Sequence, residues 1–125
     1  MKLTNEHGVA ALRWFLDHRQ NFGLSEQDLA RLAGGESEHA IDTWLAEKEP
    51  VPTSVIQRLG LLLGIYSGLV EVTPAGQGHM AFEWFQRSTN LFPEFPRLSI
   101  RDYLLRNPSE EALEVVSRSV KGLAR

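Results

Sequence analysis

Four histidines, His7, His18, His39 and His79, are the residues of this chain with the widest chemical reach. They fall on separate segments, and no two share the spacing His-x-x-x-His. Glu36 and His39 have the spacing Glu-x-x-His, but that supplies two ligands where a structural metal site needs four. Asp17 and His18 are adjacent, so on a helix they point about 100° apart, and no nucleophile accompanies them. The chain has no cysteine, which excludes disulfides, thiolate nucleophiles and Cys-based zinc sites. Gly34-Gly35 and Gly76-x-Gly78 lack the preceding strand and the further glycines of a phosphate-binding fingerprint. The expectation is a protein that is not an enzyme and that holds neither metal nor cofactor.

The spacing of Leu29-Ala30, Gly34-Gly35, Ile41 and Trp44 instead fits a helix-turn-helix. A small residue such as Ala30 lets two helices cross, a glycine supplies the turn, and apolar residues anchor the second helix. Ala30 and Ile41 stand one residue further apart than is usual. Base contacts would come from Ser37, His39, Thr43 and Lys48. The same helix carries Glu38, Asp42 and Glu47, and carboxylates repel the phosphates whose neutralisation gives a DNA reader its affinity. From Leu24 to Val72 eight acidic residues face three basic ones, whereas from Thr73 to Arg125 seven basic residues face six acidic ones. The shape points to DNA, and the charge points to another partner.

The elements that position these residues all read as helices. Val9, Leu12, Phe15, Leu16 and Phe22 recur near one face of a helix over about 6–22, stopped by Gly23. Ser25 caps the next helix with Asp28 at its third position. Ser37 caps the one after, which Glu49-Pro50-Val51-Pro52 ends. Thr53 or Ser54 opens a helix whose positions Val55, Leu59, Leu62, Tyr66 and Leu69, flanked by Ile56, Leu63 and Val70, make a wide apolar face. That is the mark of a central core helix, since glycines and Ser67 interrupt its longest apolar run well short of the roughly 18 residues of a membrane span. A linker over 73–78 follows, then a helix over 80–87 and a loop at Phe92-Pro93-Glu94-Phe95-Pro96. Ser99 caps a short helix with Ile100, Tyr103 and Leu104. Ser109 opens the last helix, where Leu113, Val116, Val120 and Leu123 repeat at helical spacing. The fold class is therefore all-α, with a helix-turn-helix-like module at 1–72 packed on a small helical domain at 73–125. The segment Met1–Glu6 has no apolar signal region, so a cytoplasmic protein is expected.

The run Arg58-Leu59-Gly60-Leu61-Leu62-Leu63-Gly64-Ile65-Tyr66, then Ala81-Phe82-Glu83-Trp84-Phe85, then Thr89-Asn90-Leu91-Phe92, resembles the Xre/MbcA/ParS antitoxin family. Trp84, Asn90, the stretch Phe95 to Ser99, and Tyr103-Leu104-Leu105 stand where that family has a tryptophan-bearing helix, an Asn, a connection and a short Leu-Leu helix. The likeness covers about residues 24–125. The family's usual Gly before the short helix is missing, and Ser99 stands where Pro is often found, although serine caps a helix equally well. The resemblance implies an antitoxin of a type II toxin–antitoxin pair. Such a protein neutralises a RES-type, NAD-degrading toxin by covering its active site, dimerises through the N-terminal region, and often represses its own operon.

On that reading the toxin-facing residues would be Phe92, Phe95, Arg97, Arg101, Arg106, Lys121 and Arg125. Aromatic side chains in a proline-bearing loop suit interface anchors. Arginine suits a cleft lined by carboxylates, because its planar fork makes bidentate contacts. Trp84, at helical spacing, reads more readily as core. Two other classes stay open: a helix-turn-helix DNA-binding transcriptional repressor using Ser37, His39, Thr43 and Lys48, and an orphan protein-interaction module with a different partner.

Overall fold

The computed structural model describes residues 5–35, 38–73, 77–87 and 97–123. Among these residues there are seven helices and no strand: α1 (Asn5–Phe22), α2 (Glu26–Ala33), α3 (Glu38–Leu45), α4 (Thr53–Val72), α5 (Met80–Gln86), α6 (Ile100–Arg106) and α7 (Glu110–Leu123). The protein is all-α. Backbone packing divides it into two compact units, Met1–Gly60 and Leu61–Arg125. The division falls inside α4, whereas the linker composition places it after Val72. α4 is one helix with residues in both units, so a boundary drawn at the linker and one drawn from packing differ.

The helix ends of the first unit follow from local chemistry. At the end of α1 the Gly23 N–H donates to the Gln20 carbonyl (3.1 Å) and the Leu24 N–H to the Arg19 carbonyl (2.9 Å), with Gly23 at φ 71°. This is a Schellman motif, which needs one left-handed residue and so favours glycine. α2 begins with a capping box: the Asp28 N–H donates to Ser25 Oγ (3.0 Å) and the Ser25 N–H to Asp28 Oδ2 (3.1 Å). It ends as α1 does, with Gly34 at φ 91° and the Gly35 N–H donating to the Ala30 carbonyl (2.8 Å). α3 repeats the motif without glycine. Glu47 takes φ 57°, its N–H donates to the Trp44 carbonyl (3.1 Å), and the Lys48 N–H donates to the Thr43 carbonyl (3.2 Å). α3 has therefore turned off before Pro50 and Pro52 are reached.

α1, α2 and α3 pack against one another in pairs. Leu12, Leu29, Ala30, Leu32 and Ala33 are fully buried, and Ile41 and Trp44 anchor α3. A Cβ added at Gly35 would stand 3.2 Å from Ala40 Cβ and 3.4 Å from the Trp44 ring, so the turn lies tight against α3. Leu16 is half-buried, at the edge of the α1 stripe. The Ser37 cap lies outside the described residues.

α4 opens on the Pro52 carbonyl, which accepts from the N–H groups of Val55 (3.0 Å) and Ile56 (3.1 Å). Thr53 and Ser54, expected as caps, instead sit within the first turn and are exposed. α4 is also long and apolar enough, by length and composition, to cross a membrane. In the fold it serves as a core helix: Val55, Ile56 and Leu59 are buried in the first unit, and Leu62, Ile65 and Leu69 in the second.

In the second unit α5 packs on α6, and α6 on α7. Ser99, fully buried, caps α6 by accepting from the Asp102 N–H (3.0 Å). Ser109 Oγ accepts from the Ala112 N–H (3.1 Å) at the start of α7. Phe85, Ile100, Leu104, Leu113, Val116 and Val120 form the core.

Candidate functional site

α7 has one apolar face and one charged face. Leu113, Val116 and Val120 point inward, while Glu111, Glu114, Arg118 and Lys121 are exposed. The helix meets α4 along two glycines. A Cβ at Gly68 would stand 2.6 Å from Val120 Cγ1, and one at Gly64 would stand 3.8 Å from Ser117 Oγ. That close approach sets Ser117 on the buried side of α7, only 4% exposed.

Beside this contact opens a groove of about 240 Å³ lined by Leu61, Glu114, Ser117, Arg118 and Lys121. Leu61 is half-buried and gives the groove an apolar wall. Ser117 Oγ has no hydrogen-bond partner among the described residues, yet it is not sealed from solvent. A helical serine often turns its hydroxyl back to a carbonyl of the preceding turn; this one faces the groove. Two cations, one carboxylate and one unspent hydroxyl leave a site with one net positive charge, suited to a monoanion.

Of the residues expected to face a partner, Lys121 lines this groove. Arg97 is exposed and has φ 68°, a left-handed conformation that costs a non-glycine residue roughly 1–2 kcal/mol. It lies just ahead of α6. Arg101 is partly exposed and lies 3.3 Å from the carboxylate of its neighbour Asp102. Arg106 is exposed in the last turn of α6. Phe92, Phe95 and Arg125, like Asn90, lie outside the described residues. The structure therefore places Lys121 with Arg118 on α7, and Arg97, Arg101 and Arg106 on and before α6.

Trp84, expected in the core, is half-buried, with the Arg87 guanidinium 6.0 Å from its ring centroid. The buried aromatic of α5 is its neighbour Phe85, 2% exposed. Phe82 is half-buried and packs on Tyr66, ring centroids 5.2 Å apart.

In the first unit, His39 and Lys48 are exposed and Thr43 is half-buried. The Thr43 hydroxyl donates to the His39 carbonyl (3.0 Å), so it is already engaged within its own helix. Asp42, Glu47 and Glu49 are exposed on and beyond α3, and Ser37 is outside the described residues. Arg58 lies against the turn, its Nε 3.2 Å from where a Cβ on Gly34 would be. His18 stacks on Trp14 (centroids 4.4 Å) and its Nδ1 donates to the Trp14 carbonyl (2.8 Å). That ring is held by its own helix. Among the described residues no three His, Asp or Glu side chains group as metal ligands.

Ser117 was not legible as a site residue in the sequence. The one signal was a serine inside the Leu113, Val116, Val120 stripe of an amphipathic helix, a position where an apolar residue is the rule. Comparison with protein-family profiles, with curated proteins and with solved structures found no match to this chain.

Proposed function

We propose that this protein is an antitoxin-like inhibitor that acts by binding another protein and carries out no reaction of its own. The observation that carries the reading is where the charges lie. The helix in the place of a DNA reader exposes Asp42, with Glu47 and Glu49 beyond it, while in the second unit, whose acidic and basic residues balance, Arg97, Arg101 and Arg106 gather on and before α6 and Arg118 and Lys121 line one groove. Carboxylates on a reading helix work against phosphate contacts. Cations on a helical platform favour a partner with an acidic cleft. With the resemblance drawn from the sequence, the partner is a RES-type toxin that degrades NAD, the inhibitor is a cytoplasmic homodimer, and the second unit covers the toxin's active site. Phe92, Phe95, Arg97, Arg101, Arg106, Lys121 and Arg125 are the contacts to test.

The decisive experiment is co-expression with the product of the adjacent gene, followed by co-purification and growth rescue. A stable complex that restores growth is expected. Absence of both toxicity and complex would overturn the reading in favour of an orphan interaction module.

A DNA-binding repressor remains the second reading, because the Gly34 turn, the buried Ala30 and the Ile41 and Trp44 anchors supply the parts of a helix-turn-helix. His39, Thr43 and Lys48, with Ser37, would then face the major groove of DNA. Its mark is a shift of its own promoter DNA that falls steeply as salt rises.

A further inference from the structure

We infer that the α4–α7 groove is a carboxylate site whose occupant is the acidic turn after α3 of a second copy of this chain, so that molecules associate head to tail. Three observations meet there. Ser117 is more than nine-tenths buried, its hydroxyl has no partner among the described residues, and it lines the groove beside Arg118 and Lys121. A hydroxyl donor sharing a groove with a guanidinium and an ammonium is a donor set that a carboxylate takes up. The groove, about 240 Å³, falls below the range of roughly 300–1,000 Å³ usual for small-molecule and cofactor sites and is of a size for one or two side chains. Glu114 on its wall lowers the net charge, which disfavours di- and polyphosphates and leaves a single carboxylate as the matching ligand. Leu61 supplies apolar surface for the methylenes behind it.

The complementary surface is on the chain itself. Asp42, Glu47 and Glu49 are all exposed, with Lys48 as the cation among them. Glu47 stands at the left-handed corner of the turn. An interface between two different patches of one molecule is heterologous: it closes into a ring or grows, and it competes with any other protein that uses Arg118 and Lys121.

The test needs this protein alone, so its failure leaves the antitoxin reading untouched. Sedimentation of the full chain is measured across concentration at low and high salt. The average mass is expected to rise with concentration at low salt, and the salt-sensitive part to vanish at high salt as screening predicts. If the first unit also dimerises permanently, that dimer is the baseline.

Two charge-reversed variants are then compared, Arg118→Glu with Lys121→Glu, and Glu47→Lys with Glu49→Lys. Each alone should lose the salt-sensitive association. Mixed one to one they should regain it, since each groove then meets a turn of opposite charge. Ser117→Ala should weaken association by roughly 3- to 10-fold with no change of net charge, the loss of about one hydrogen bond. Circular dichroism checks that each variant folds; if the groove variant does not, Arg118→Gln with Lys121→Gln takes its place, and if the turn variant does not, Glu47→Gln with Glu49→Gln does, each expected to lose the salt-sensitive association. A mass independent of salt, variants that associate like the parent, or a mixture that fails to re-associate would each overturn the proposal.

Discussion

Replacing Gly68 with alanine isolates the close approach that builds the second unit. In a helix interior, alanine is favoured over glycine by about 0.8–1 kcal/mol. At Gly60 an added Cβ meets nothing within 4 Å among the described residues, and at Gly64 it reaches ordinary contact, 3.8 Å from Ser117 Oγ. Both substitutions should therefore stabilise by about 1 kcal/mol. At Gly68 the same methyl would lie 2.6 Å from Val120 Cγ1, where ordinary contact begins at 3.4 Å. Val120 is fully buried and β-branched, hence stiff at χ1, so the helices must move apart. Overpacking of this kind costs about 1–3 kcal/mol. After the gain in propensity, Gly68→Ala should come out between neutral and about 2 kcal/mol destabilising. For a chain of this length 1 kcal/mol corresponds to about 4 °C in Tm. Thermal melts followed by circular dichroism should then show Gly64→Ala rising by about 4 °C and Gly68→Ala unchanged or falling by up to about 8 °C. Val120→Ala should partly rescue Gly68→Ala, because it removes the clashing methyl, and the double-mutant cycle should show a coupling above about 0.5 kcal/mol. If Gly68→Ala melts as high as Gly64→Ala, or the pair is additive, α4 and α7 do not meet as described and the reasoning fails.

Arg97→Gly should stabilise the chain by about 1 kcal/mol, read as a higher urea midpoint, because glycine takes φ 68° without the penalty an arginine bears there. In the antitoxin reading the same change should weaken the complex, which separates a binding role from a structural one. Ser99→Ala should cost about 1–2 kcal/mol in urea titration, since it removes a buried cap and strands the Asp102 N–H; a loss under about 0.3 kcal/mol would mean that N–H finds another acceptor. Leu62→Asp should abolish cooperative melting, as an unpaired charge at a site 3% exposed costs several kcal/mol, of the order of the whole stability margin. A variant that melts like the parent would remove Leu62 from the core.

Local chemistry made much of the fold readable in advance. Gly23, Ser25 with Asp28, Gly34, Ser99 and Ser109 each set a helix end within a few residues of themselves, so their types and spacing were enough. The misses came where residue type leaves the outcome open. Thr53 and Ser54 have the right chemistry for capping, yet the chain enters α4 one residue earlier, through the Pro52 carbonyl. Glu47 ends α3 in a left-handed conformation that nothing in its type announces. Trp84 and Phe85 are adjacent aromatics, and only the packing of α5 determines that Phe85 is the buried one. In the candidate site, Lys121 was legible as a cation near a helix end, whereas Ser117 became a site residue only through the nearness of α7 to Gly64. A packing distance between helices has no local signature.

The apolar length of α4 has a consequence during synthesis. The helix spans Thr53–Val72 with Arg58 and Glu71 as its charged residues, and part of its cover in the second unit comes from α7, which ends at Leu123. At roughly 5–20 residues per second, several seconds pass between the two leaving the ribosome. For that interval the nascent chain displays a segment that passes the test for a membrane span by length and composition, before Val116 and Val120 are available to cover it. Chaperones, targeting machinery and other nascent chains all compete with α7 for the same surface. The yield of folded protein should therefore depend on how fast the last helix is delivered, and slowing translation between codons 73 and 110 should raise the aggregated fraction without altering the stability of the finished molecule.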